Sequence, residues 1–133
     1  MREKRKVWLT GSEMTALPVV LLVTAAAALG AYLLLLWFRK MRKPVLIGFH
    51  VLLGLGGAES LIVFLHTTGL DDDAPARRLA LVAGAFLAAA IASGFLAPVI
   101  GRTYRLAANW LLAAHVASGL LGFLVVVLFV TRI

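Results

Sequence analysis

"VVLLVTAAAALGAYLLLLWF", residues 19–38, runs for twenty residues without a charge. A helix of that length, rising about 1.5 Å per residue, spans the ~30 Å of a bilayer's hydrocarbon. A spanning β-strand would be half as long and would alternate apolar with polar side chains. No alternation runs through this stretch, which excludes a barrel. Three runs of the same kind follow, so spans are expected over about 15–38, 45–67, 79–100 and 106–130. The sequence predicts an all-α, transmembrane up-down four-helix bundle, with residues 1–133 forming a single integral membrane domain. The connections "RKMRKP", "TGLDDDAPARR" and "GRTYR" are short, which makes consecutive helices antiparallel neighbours.

The composition agrees. At 62% hydrophobic residues and a mean hydropathy of +1.01, the chain lies well above the roughly half-apolar make-up of soluble domains. With no cysteine it has no disulfides, no thiol redox chemistry, no cysteine-ligated cluster and no thioether-bound haem. The net charge of +7 sits in "MREKRK", "RKMRK", "ARR" and "GRTYR", all flanking spans, so its partner is anionic lipid and not nucleic acid. The first run ends in "RKMRK" without a small-residue cleavage site, and is expected to stay as a helix. Prolines fall where a missing N–H does least harm: Pro18 in the first turn of span one, Pro44 just before span two, Pro75 before span three and Pro98 near its end.

Lys and Arg number seven on the side of the termini and second loop against six on the side of loops one and three. The balance is near even, but Arg39, Lys40, Arg42 and Lys43 abut the membrane, which favours loops one and three as cytoplasmic. The economy of the loops points to a bacterial inner membrane. Trp8, Trp37, Trp110 and Tyr104 read as interface anchors, and Asp71 to Asp73 as a solvated loop.

Two of the three histidines head the same pattern, "HVLLGLGG" at 50–57 and "HVASGLLG" at 115–122, with five of eight positions identical. Arg39 and Arg42 correspond to Arg102 and Arg105 if two residues are inserted in the second unit. The chain therefore reads as two helical hairpins of one plan, or as a coincidence within low-complexity sequence. Duplicated hairpins would be related by an axis along the membrane normal, with His50 and His115 level and facing. Glycines at i+4 and i+7, namely Gly54 and Gly57 and then Gly119 and Gly122, lie on each histidine's own helix face. Two such faces opposed make a flat slot with one imidazole on each wall, the shape that one haem b requires. Arg39, Arg42, Arg102 and Arg105 then lie on the nearer side of the membrane, suited to the haem propionates.

In "FHVLLGLGG" and "AHVASGLLG" the chain resembles the cytochrome-b-like four-helix membrane haem proteins. The resemblance covers about two helices. It implies histidines of the second and fourth helices sandwiching haem, glycines making room for it, and a role as an electron-transfer subunit of an oxidoreductase complex. Those families often carry a second histidine pair about a dozen residues farther along. Here His66 lies sixteen residues past His50 and its repeat counterpart is Thr131, so a single haem is expected.

Glu59 stands nine residues from His50, about 180° around the helix, and His66 returns to the side of Glu59. With His50 turned inward, Glu59 faces outward near mid-membrane. There it is either protonated or covered by a partner subunit or a second copy of the chain; in a sharper reading, Glu59 and His66 line a quinone or proton path. The competing classes are a haem-free accessory subunit, in which the histidines are hydrogen-bonding glue, and a small oligomeric transporter using Glu59.

Overall fold

The computed structural model describes residues 11–68 and 75–132. Asp71 to Asp73, Trp8 and the basic cluster of residues 2–6 lie outside them. The described residues form four helices: α1 Gly11–Phe38, α2 Pro44–Thr67, α3 Pro75–Ile100 and α4 Arg105–Val130. All four are long and apolar enough to cross a membrane, and the described residues contain no strand. The chain is an all-α, four-helix transmembrane protein.

The helix ends agree with the hydrophobic runs to within a residue except at the starts of α1 and α3, which begin four residues earlier. Hydropathy marks hydrocarbon, whereas a helix continues into the headgroup zone. Pro18 therefore sits inside α1 rather than in its first turn, and the carbonyl four residues before it loses its helical donor. Pro44 and Pro75 each occupy the first residue of a helix, where no donor is lost.

α1 packs along α2 and α3 along α4, and the two hairpins then meet through α2 with α3 and α1 with α4. Small residues set this geometry. α1 buries Ala16, Val19, Val23 and Ala26; α3 buries Ala80, Ala83, Leu87 and Ala90, which are the same four places shifted by 64 residues. In lipid such residues let backbones approach closely, so that packing holds the helices together. α2 contributes Gly57, Leu61 and Phe64 to the interior, and α4 contributes Gly122, Val126 and Phe129, the same three places shifted by 65. The Phe64 and Phe129 rings meet edge to face with centroids 4.9 Å apart.

The bundle is closed at one end only. Every fully buried residue of α2 and α4 lies beyond the histidines, on the side of the α2–α3 connection. Toward the basic loops the only fully buried residue past Ser93 of α3 or past Ala26 of α1 is Leu36. His50 and His115 stand where the packed half gives way to the open half.

Candidate functional site

The two histidines share a heptad seam with the residues below them. His50, Gly57 and Phe64 follow one another at intervals of seven on α2, as do His115, Gly122 and Phe129 on α4. Seven residues return to within about 20° of the starting direction, so the histidines project into the bundle as the phenylalanines do. The imidazole centroids lie 5.7 Å apart and the rings are nearly perpendicular, at 82°. Both rings are half-buried.

Each ring is held by the partner helix of its own hairpin. His50 Nδ1 lies 3.0 Å from the carbonyl oxygen of Ala26, and His115 Nδ1 lies 2.7 Å from that of Ala90. A carbonyl only accepts, so Nδ1 carries the proton in both rings, and in a neutral imidazole Nε2 then keeps its lone pair. This is the arrangement of metal-binding histidines, whose second nitrogen is tied to a carbonyl or carboxylate.

Glycines on α1 and α3 make the approach feasible. A Cβ added to Gly30 would lie 2.9 Å from His50 Cε1, and one added to Gly94 would lie 2.8 Å from His115 Nδ1. Neither Gly30 nor Gly94 was expected at the site, nor were the carbonyls of Ala26 and Ala90. Their signal is the Ala-x3-Gly spacing of "AAALG" and "AIASG", visible once the hairpins are aligned.

The glycines beside the histidines divide into two kinds. Gly57 and Gly122 bring the helices of each hairpin together: a Cβ on Gly57 would lie 2.8 Å from Val23 Cγ2, and one on Gly122 3.2 Å from Leu87 Cδ2. Their smoothness serves α1 and α3, so these two are accounted for by packing within the hairpins. A Cβ on Gly54 would meet nothing within 4 Å, and one on Gly119 only the Ala90 Cβ at 3.9 Å. Internal packing does not require a glycine at these two places.

On the open side, a groove of about 360 Å³ runs between α1 and α4, lined by Leu34, Trp37, Asn109, Leu112, Ala113, Val116 and Ala117. The groove lies on the α1–α4 side of the bundle, and neither histidine is among the residues that line it. Arg39, Arg42, Arg102 and Arg105 are all exposed and lie at the end of the bundle where α1 and α3 finish and α2 and α4 begin. Glu59 and His66 are exposed on the outer surface of α2, away from the histidine pair, and His66 donates its Nδ1–H to its own helix at Ile62 O, 2.8 Å away.

The donor set limits the chemistry. No group of three or more His, Asp or Glu side chains able to hold a metal ion forms among the described residues. Two imidazoles with Nε2 free would suit a metal whose remaining ligands come from a cofactor, as in haem iron. Comparison with protein-family models, curated proteins and solved structures returns no match for this chain.

Proposed function

We propose that the protein is a membrane b-type cytochrome that binds one haem b between α2 and α4 through Nε2 of His50 and His115. The observation that carries this reading is the pair of imidazoles, 5.7 Å apart, with both Nδ1 atoms committed to backbone carbonyls. The open half of the bundle and the glycines at 54 and 119, which internal packing does not require, support it. When bound, haem supplies one-electron transfer. The chain's own residues hold the ligands in orientation, surround the iron with apolar side chains and offer Arg39, Arg42, Arg102 and Arg105 to the propionates. In this role the protein is an electron-carrying subunit of an oxidoreductase complex in a bacterial inner membrane.

The test is an absorption spectrum of protein purified gently from cells competent in haem synthesis. One haem per chain with a low-spin spectrum is expected, lost in His50→Ala and in His115→Ala. Protein that carries no stoichiometric haem overturns the reading.

A second reading, that of a haem-free accessory subunit, has an observation of its own. Among the described residues no buried side-chain nitrogen or oxygen lacks a hydrogen-bond partner, and each histidine already ties together the two helices of its hairpin. On that reading the histidine variants loosen the bundle and no spectrum is involved. In either case a partner subunit or second copy covers the outward Glu59, and a quinone or proton path using Glu59 and His66, or a transporter built on Glu59, would run along this outer face.

A further inference from the structure

We infer that Gly30 and Gly94 are positioning residues for the two histidines: each opens a helical carbonyl that its partner imidazole must reach to be fixed as the Nδ1–H tautomer. A carbonyl inside an α-helix already accepts the N–H four residues on, and its oxygen points toward the side chain at that position. A second donor from a neighbouring helix has to pass over residue i+4. The acceptors are Ala26 and Ala90, and their i+4 residues are Gly30 and Gly94. A Cβ there would fall 2.9 Å from His50 Cε1 and 2.8 Å from His115 Nδ1, so neither imidazole could keep its present approach to the carbonyl without shifting.

The arrangement occurs twice, once in each hairpin. Ala26 and His50 are 24 residues apart, Ala90 and His115 are 25 apart, and α4 starts ten residues before its histidine where α2 starts six before. The loops and helix ends thus differ while the carbonyl, glycine and imidazole keep one geometry. The close approach is not shared by every glycine of these helices: on α3, a Cβ added to Gly84 would meet only Leu61 Cδ2, at an ordinary 3.7 Å. The consequence for iron rests on the haem reading: Nδ1–H donation to a carbonyl leaves Nε2 free as ligand and makes it a stronger electron donor, which favours the oxidised iron.

The tautomer does not depend on haem, so it is measured first on haem-free, full-length protein in lipid nanodiscs with ¹⁵N-labelled histidine. Wild-type His50 and His115 are expected as Nδ1–H tautomers with slowly exchanging protons. Gly30→Ala is expected to abolish the His50 signal and leave that of His115, Gly94→Ala to do the reverse, and Gly84→Ala to change neither. If either wild-type ring is the Nε2–H tautomer, the inference fails without any variant having to fold. It fails equally if both alanine variants keep both signals. Protein that binds haem should show a raised midpoint potential and a high-spin fraction in Gly30→Ala and Gly94→Ala. The NMR pattern without haem binding would retain the positioning role and discard the cytochrome.

Discussion

At the scale of single residues, glycine has three separate uses along the seams of this protein, distinguished by what a methyl group would strike. At Gly57 it would strike Val23 Cγ2 at 2.8 Å with the Val23 backbone nitrogen 3.4 Å away, so little can give. At Gly122 the obstacles are Leu87 Cδ2 at 3.2 Å and Phe86 Cβ at 3.3 Å. Gly57→Ala is therefore expected to destabilise by about 1–3 kcal/mol, the usual cost of overpacking, and Gly122→Ala by less, read as a shift in unfolding midpoint in detergent. Gly54 is the contrasting case, because its methyl would meet nothing. Gly54→Ala should leave stability of the haem-free protein unchanged. Gly54→Phe should also fold, yet lower haem stoichiometry measured by absorbance, since the ring fills the space beside His50. Haem binding undiminished by that ring would remove Gly54 from the site.

At the scale of helices, α1 ends in a Schellman motif: Met41 N–H donates to Leu36 O and Lys40 N–H to Trp37 O, both at 2.9 Å. The first residue past the helix end in such a motif must turn left-handed, and Lys40 does so with φ of 56°. A side chain in that region costs about 1–2 kcal/mol, so Lys40→Gly should raise the unfolding midpoint. At the opposite end Phe64 and Phe129 close the seam, each less than 2% exposed. Since lipid is as apolar as the interior, Phe129→Ala forfeits packing and not transfer energy; a cavity on the order of 100 Å³ corresponds to about 2 kcal/mol. The helices themselves were legible because hydrophobic run length is a direct reading of bilayer thickness. The facing of His50 and His115 was legible through the repeated glycine pattern. Gly30, Gly94 and the Ala26 and Ala90 carbonyls were not, because a carbonyl that accepts a side chain leaves no mark in composition. Only pairing α1 with α3 exposes the shared Ala-x3-Gly.

At the scale of the whole molecule, two hairpins of one plan give a bundle whose interior is nearly symmetric and whose outer surface is not. The interior pairs His50 with His115 and Phe64 with Phe129, whereas Glu59 on the outside corresponds to Leu124 of α4. A carboxylate facing hydrocarbon at mid-span costs about 2.5–3.5 kcal/mol on insertion scales if charged, and no side chain of the bundle interior offsets it. Symmetric duplication does not produce such a group, so the Glu59 side of α2 is where the molecule differs from a free-standing bundle. Covering that side by another subunit or a second copy offsets the cost by supplying a hydrogen-bond partner. The expected outcome is that wild-type protein in native membranes runs as an assembly larger than its own 14.2 kDa, and that Glu59→Leu runs smaller while inserting at least as well. Glu59→Gln, which keeps hydrogen bonding without charge, should retain the assembly. Native gels and crosslinking of the three forms decide it: a wild-type chain that stays monomeric in its own membrane would leave Glu59 facing lipid and overturn the covered face.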